Sequence, residues 1–134
     1  MPSHPFDHVA VAVRSIEESR ALFELVTGQT CSPVEELPSQ GVDVAFVGSV
    51  ELLEPREPDT PVGRFLERNG PGLHHVAFRV PNLERAVEEF ESRGLRAVGD
   101  GIRPGARGHR VAFLHPASTG KVLIELVEGT STSG

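Results

Sequence analysis

The sequence predicts an α+β fold built from two copies of one strand-helix-strand-strand-strand module, and three observations predict it. A histidine-bearing strand recurs: Asp7-His8-Val9-Ala10-Val11-Ala12-Val13 returns 67 residues later as His74-His75-Val76-Ala77-Phe78-Arg79-Val80. Over the 21 positions from Asp7 to Thr27, seven residues are identical at that offset: His, Val, Ala, Val, Glu, Phe and Glu, in that order. Two unrelated amphipathic segments would ordinarily share fewer. Each half also closes on a glutamate-led apolar segment, Glu51-Leu52-Leu53-Glu54 and Glu125-Leu126-Val127-Glu128. The predicted architecture is a concave mixed sheet with helices outside, in one domain of 134 residues. Module one spans about residues 5–56, a linker helix about 60–69, and module two about 72–129.

Each element has a local signature. In the opening strand, alternation puts His8, Ala10 and Ala12 on one face and Val9, Val11 and Val13 on the other. Ser15-Ile16-Glu17-Glu18 fits a capping box, and Ile16, Leu22, Phe23 and Val26 recur at helical spacing before Gly28, so a helix is predicted over residues 15–27. A weaker strand is expected near Thr30 to Leu37. Val42–Val47 and Val50–Glu54 flank Gly48-Ser49, a two-residue hairpin in which glycine supplies the unusual backbone angle. Thr60-Pro61 starts a short helix through Asn69, with proline at its favoured first position, and Gly70-Pro71-Gly72 resets the chain. The second module repeats the order. His75, Ala77 and Arg79 share one face of its first strand, and His74, Val76, Phe78 and Val80 the other. Asn82 caps a helix striped by Leu83, Ala86, Val87 and Phe90 and stopped by Gly94. A weak strand is expected near Leu95 to Val98, and strands Arg110–Leu114 and Val122–Val127 flank a longer loop from His115 to Lys121. The tail from Thr130 to Gly134 is expected to be disordered.

Composition narrows the function classes. With 38% hydrophobic and 24% charged residues the chain is ordinary for a globular protein. No apolar run approaches the roughly twenty residues of a membrane span, no secretory leader is visible, and lone Cys31 cannot form an internal disulfide. A cytoplasmic protein with no membrane partner is expected. The net charge of -6 argues against a nucleic-acid partner, but the charge is uneven. From Gly101 to Ile124 there is no acid, and that stretch holds Arg103, Arg107, Arg110 and Lys121, the chain's single lysine. Its Pro104-Gly105-Ala106-Arg107-Gly108-His109-Arg110 segment combines backbone freedom, N–H groups and positive charge, a composition suited to phosphate. No Gly-Lys-Ser/Thr or Gly-x-Gly-x-x-Gly fingerprint accompanies it.

The repeated histidines carry the chemistry. Alanine two positions beyond each leaves space before the imidazole that a packed core would normally fill. If each module contributes its first and last strands to one concave sheet, His8, Glu51, His75 and Glu125 gather about a pseudo-twofold axis. Two imidazoles and two carboxylates suit one divalent ion such as zinc, cobalt, nickel, manganese or ferrous iron, and positions left to water keep it open for catalysis. His74 falls on the opposite face and reads as structural, and Glu54 and Glu128 read as solvated. His109 and His115 flank the basic loop, where a ligand contact and a surface role are equally open.

Taken together, Asp7-His8-Val9-Ala10, Glu51-Leu-Leu-Glu-Pro55, Gly72-Leu-His-His-Val-Ala-Phe78, Gly105-Ala-Arg-Gly108, Phe113-Leu-His-Pro116 and Val122-Leu-Ile-Glu-Leu126 resemble the methylmalonyl-CoA epimerase family. That family lies in the vicinal oxygen chelate superfamily, with glyoxalase I and the extradiol dioxygenases, and the likeness runs from about Phe6 to Glu128. The resemblance implies paired βαβββ modules, a homodimer, and His8, Glu51, His75 and Glu125 as ligands of one divalent ion, cobalt, manganese, nickel or zinc. It implies an acyl-CoA substrate and interconversion of (R)- and (S)-methylmalonyl-CoA. The proton removed lies between a thioester carbonyl and a carboxylate, and its loss puts negative charge on the thioester oxygen, which a Lewis acid stabilises. Inversion requires a proton acceptor on one face and a donor on the other, roles assigned here to Glu125 and Glu51. The coenzyme A phosphates are assigned to Arg103, Arg107, Arg110 and Lys121 from the composition of their segment. The sequence departs from the family twice. Some members carry a further glutamate just after Gln-Gly-Val, where Gln40-Gly41-Val42-Asp43-Val44 has Val44, and the Gly48-Ser49 hairpin is shorter than usual.

Three other readings use the same frame. A glyoxalase I-type lactoylglutathione lyase would employ nearly the same four ligands on a glutathione hemithioacetal. A metal-free small-molecule binding or resistance protein would not need two histidines and two glutamates in register. An iron dioxygenase would use two histidines and one carboxylate, leaving one glutamate surplus.

Overall fold

A computed structural model of the protein describes residues 3–99 and 101–129, so the tail expected to be disordered lies outside the described residues. The elements follow the duplicated order. The first module carries β1 (Phe6–Ala12), α1 (Ile16–Thr27), β2 (Glu35–Leu37), β3 (Val42–Val47) and β4 (Val50–Pro55). After α2 (Pro61–Asn69), the second carries β5 (Gly72–Val80), α3 (Leu83–Ser92), β6 (Arg103–Pro104), β7 (Arg110–Leu114) and β8 (Ile124–Glu128). The chain divides into two compact units, Val9–His74 on one side and the described residues of Met1–His8 and His75–Gly134 on the other. The start of β1, up to His8, therefore belongs to the unit that holds the second module.

In the first unit the strands run in the order β2-β3-β4-β1, with β1 parallel to β4 and the other pairs antiparallel. Val47 pairs with Val50, so Gly48 and Ser49 make the expected two-residue hairpin, and Gly48 takes the left-handed angle, φ 59°. Ser15 caps α1 by accepting the Glu18 N–H at 3.2 Å, and Gly28 ends it in the left-handed region. α1 covers a core of Val13, Ile16, Cys31, Ala45, Val47 and Leu52, with Phe23 packed against it. Thr60 caps α2, with Pro61 next, as the sequence predicts. Gly63, in the first turn of that helix, has backbone where a side chain would be: a Cβ would sit 2.3 Å from the Pro58 carbonyl oxygen.

The second unit repeats the plan as β5-β8-β7-β6, with β5 parallel to β8. Asn82 caps α3 by accepting the Arg85 N–H, and Val80, Leu83, Ala112, Leu114 and Leu126 form the core beneath it with Ala86, Val87 and Phe90. Its second strand departs from the expectation. The segment Leu95 to Val98 contributes one isolated bridge, Ala97 to Leu114, and the edge strand is Arg103–Pro104. Gly99 and Gly101, at φ 57° and 88°, turn the chain away, and Pro104 has no N–H to extend the ladder. β8 starts at Ile124, two residues later than expected, following a turn in which Lys121 takes φ 75°.

The second glutamate of each closing motif, read as solvated from sequence, has a structural partner. Glu54 accepts the N–H of Ile16, the first residue of α1, at 2.8 Å, and Glu128 accepts that of Leu83, the first residue of α3, at 3.0 Å. Those amides have no partner inside their own helices, and a carboxylate there also meets the positive end of the helix dipole. The last strand of each module thereby pins the start of that module's helix.

Candidate metal centre

The two first glutamates occupy the same place in their modules. Glu51 stands in register between Ala10 of β1 and Phe46 of β3, and Glu125 between Ala77 of β5 and Phe113 of β7. In each first strand the histidine lies two residues before that alanine, on the same face. Parallel pairing of the first strand with the last fixes this relation, so a sequence repeat becomes a repeat of donor positions. His8, Glu51, His75 and Glu125 are the buried polar residues among the described residues, each 4–6% exposed.

Within the second unit three donors converge. His8 Nε2 and His75 Nε2 lie 3.0 and 3.2 Å from the same oxygen, Glu125 Oε1, and the ligand atoms of all three residues fall within 4.8 Å of one another. The imidazoles cross nearly edge to face with centroids 5.6 Å apart, and Phe113 packs edge-on against His75 at 5.1 Å. Burial pushes the Glu125 carboxyl up, but the adjacent imidazoles of His75 and His8 outweigh it and hold the group down at about 2. The donor set fits a divalent ion. Two ligand atoms about 2.1 Å from a shared ion are about 3.0 Å apart at a right angle and about 3.4 Å apart at the tetrahedral angle, so the spacing is that of neighbouring donors on one cation.

The sequence analysis gives Asp7 no role in the site. Its carboxylate nevertheless accepts the His8 Nδ1–H at 2.7 Å through Oδ2 and the Arg79 Nε–H at 3.1 Å through Oδ1. The His8 hydrogen bond chiefly, with the Arg79 charge, holds Asp7 at about 2. The available signal was the mismatch in the repeat, which has His74 where the first copy has Asp7.

A model of the glyoxalase/bleomycin resistance protein/dioxygenase superfamily matches residues 7–113. The mitochondrial methylmalonyl-CoA epimerase of Mus musculus is 40% identical over 125 residues, covering 90% of this chain and 70% of that protein. The ethylmalonyl-CoA/methylmalonyl-CoA epimerase of Cereibacter sphaeroides is 33% identical over 126 residues, covering 90% and 94%. The chain belongs to the methylmalonyl-CoA epimerase family of this superfamily. A Streptomyces coelicolor methylmalonyl-CoA epimerase, solved in complex with 2-nitronate-propionyl-CoA, superposes with a TM-score of 0.87 at 29% identity, over 96% of this chain and 97% of that one. The fold is the vicinal oxygen chelate fold that the sequence predicts.

In this epimerase-family chain the basic residues are placed differently from one another. Arg103 lies on β6, and Arg107 and Lys121 sit in turns at φ 57° and 75°, the non-glycine residues of positive φ among those described. Arg110 forks instead between two carboxylates, reaching Glu84 at 2.7 and 2.8 Å and Glu128 at 3.0 and 2.9 Å, and so ties the start of α3 to β7 and β8. His109 donates through Nδ1 to the Glu128 carbonyl, and His115 Nδ1 accepts the Ala117 N–H in its turn. Asp43 pairs with Arg56 at 2.6 Å, while neighbouring Val44 is buried.

Proposed function

We propose that the chain interconverts (R)- and (S)-methylmalonyl-CoA by α-proton abstraction, with His8, Glu51, His75 and Glu125 holding one divalent ion. The observation that carries this reading is the convergence of two imidazole Nε2 atoms on one oxygen of a buried, anionic Glu125. It is supported by the equal register of Glu51 in the other module and by relatives named for this reaction. When bound, the ion supplies Lewis-acid stabilisation of charge on the thioester oxygen, worth several kcal/mol. Glu125 and Glu51 are the two proton-transferring groups, one for each face of the substrate carbon: one takes the α-proton while the other returns a proton from the opposite side. Ala10 and Ala77 leave room for the acyl group, and Phe46 and Phe113, flanking the glutamates, keep bulk water from the proton in transit. Two imidazoles with carboxylates suit cobalt, manganese, nickel or zinc alike.

The phosphates of coenzyme A are assigned to Arg103, Arg107 and Lys121. Backbone angles that L-residues avoid are held at two of these three, as is common where a side chain must meet a ligand. Arg110 is left out because its guanidinium already serves Glu84 and Glu128. Among the described residues no helix is long and apolar enough to cross a membrane. A cytoplasmic location suits the lone buried Cys31, and cell fractionation tests it. A homodimer is assigned to the outer face of α1, where Leu22, Leu25 and Val26 are 60, 82 and 73% exposed. At the matching positions α3 and its C-cap carry Glu89, Ser92 and Arg93.

Deuterium wash-in at the α-carbon of methylmalonyl-CoA tests the activity. Exchange is expected after reconstitution with cobalt, manganese, nickel or zinc, and its loss on chelation. No exchange with any of them, alongside turnover of methylglyoxal with glutathione, moves the assignment to a lactoylglutathione lyase.

A further inference from the structure

The two repeated histidines have unlike surroundings. Behind His8, the Asp7 carboxylate uses both oxygens, one for the His8 Nδ1–H at 2.7 Å and one for the Arg79 Nε–H at 3.1 Å. Arg79 is itself held. Its backbone N–H donates to the Pro5 carbonyl at 2.8 Å, and its stem lies against Gly129, where a Cβ would approach Arg79 Cδ and Cγ to 3.1 and 3.3 Å. At the matching positions of the repeat, His74 replaces Asp7 and Ala12 replaces Arg79. His75 is instead braced by the edge of Phe113.

We infer that Asp7 is a positioning residue for His8, with Arg79 and Gly129 fixing the carboxylate in turn, so that this imidazole is set for cation binding by a charged relay. This rests on the metal-centre reading above. The physical reason is tautomeric. A neutral imidazole has one N–H, and placing it on Nδ1 leaves the Nε2 lone pair directed at the donor cluster. A carboxylate on the far nitrogen does this and also raises the basicity of the ligating one. The Asp7 contact, at 2.7 Å, is shorter than the 3.0 Å from Nε2 to Glu125, and Glu125 Oε1 is shared with His75, so the Nδ1 site holds the proton more firmly.

The test combines ion binding with the state of the ring. In wild type, Co2+ and Mn2+ titrations give the affinity of the metal alone, and ring-nitrogen NMR of the metal-free protein assigns the His8 proton. The expected result is a downfield, slowly exchanging Nδ1–H resonance in wild type that is lost in Asp7→Ala, with metal affinity weaker by about 10- to 100-fold. Arg79→Met, which leaves Asp7 in place, is expected to broaden that resonance and weaken affinity less, and it serves if Asp7→Ala fails to fold. Wild-type affinity with an unchanged His8 resonance in Asp7→Ala, or in Arg79→Met if only that variant folds, overturns the inference. So does a proton assigned to Nε2 in metal-free wild type. Failure of wild type to bind either ion overturns the metal reading alone, since the ring proton is observed without metal.

Discussion

At the scale of single residues, the centre depends on charge placed where charge is ordinarily expensive. Glu125 is buried against two imidazoles, 3.0 and 3.2 Å from its Oε1, and their proximity holds its carboxyl well below the usual carboxylate range despite burial. Glu125→Gln keeps the shape and removes the charge, so it is expected to weaken metal binding and to slow α-proton exchange by about 100-fold or more, as loss of a general acid-base group does. Exchange rates measured at matched metal content separate the two effects, and a wild-type rate at full occupancy removes Glu125 from the proton-transfer role. Metal should also stabilise the fold. With free ion at about 100 times the dissociation constant the gain is about 2.7 kcal/mol, read as a rise in Tm that chelation reverses.

At the scale of elements, helices are fixed to strands by polar contacts that the hydrophobic pattern does not reveal. Arg110 holds Glu84, at the start of α3, and Glu128, near the end of β8, and its guanidinium keeps the Glu84 carboxyl at about 2 against an ordinary 4.5. A carboxylate whose folded pKa is depressed contributes stability that is fully present above its unfolded value and is lost as pH falls through the folded one. Denaturant midpoints of wild type and Glu84→Gln should therefore differ at pH 7 and merge as pH falls from about 4.5 towards 2; a constant difference across that window would rule the pair out as the cause. In α2, Gly63→Ala tests close packing. Alanine is the better helix former by about 1 kcal/mol, but its Cβ would sit 2.3 Å from the Pro58 carbonyl, so the substitution is expected to destabilise, and a raised Tm would refute the clash.

At the scale of the whole molecule, duplication is followed by divergence. Both modules keep the alanine-glutamate-phenylalanine register and the glutamate that receives the first amide of the helix, but α1 presents Leu22, Leu25 and Val26 outward where α3 and its C-cap present Glu89, Ser92 and Arg93. Leu25→Glu is expected to shift a dimer to monomer in analytical ultracentrifugation and to leave the modules folded; an unchanged sedimentation coefficient would place the interface elsewhere. The sequence by itself determined the module order, the three helices with their caps, the hairpin at Gly48-Ser49 and the four candidate ligands. Periodicity, caps and turns act over a few residues, and a repeat compares itself. What it could not supply was any relation carried by the path of the chain. The edge strand lies at Arg103–Pro104, after the turns at Gly99 and Gly101, and the guanidinium of Arg110 is engaged by Glu84 and Glu128, 26 and 18 residues away. Only the tertiary structure decided that His8, His75 and Glu125 meet at 3.0 and 3.2 Å and that Arg79 reaches Asp7, since these contacts join side chains 50 and more residues apart, a separation over which local pattern carries no information.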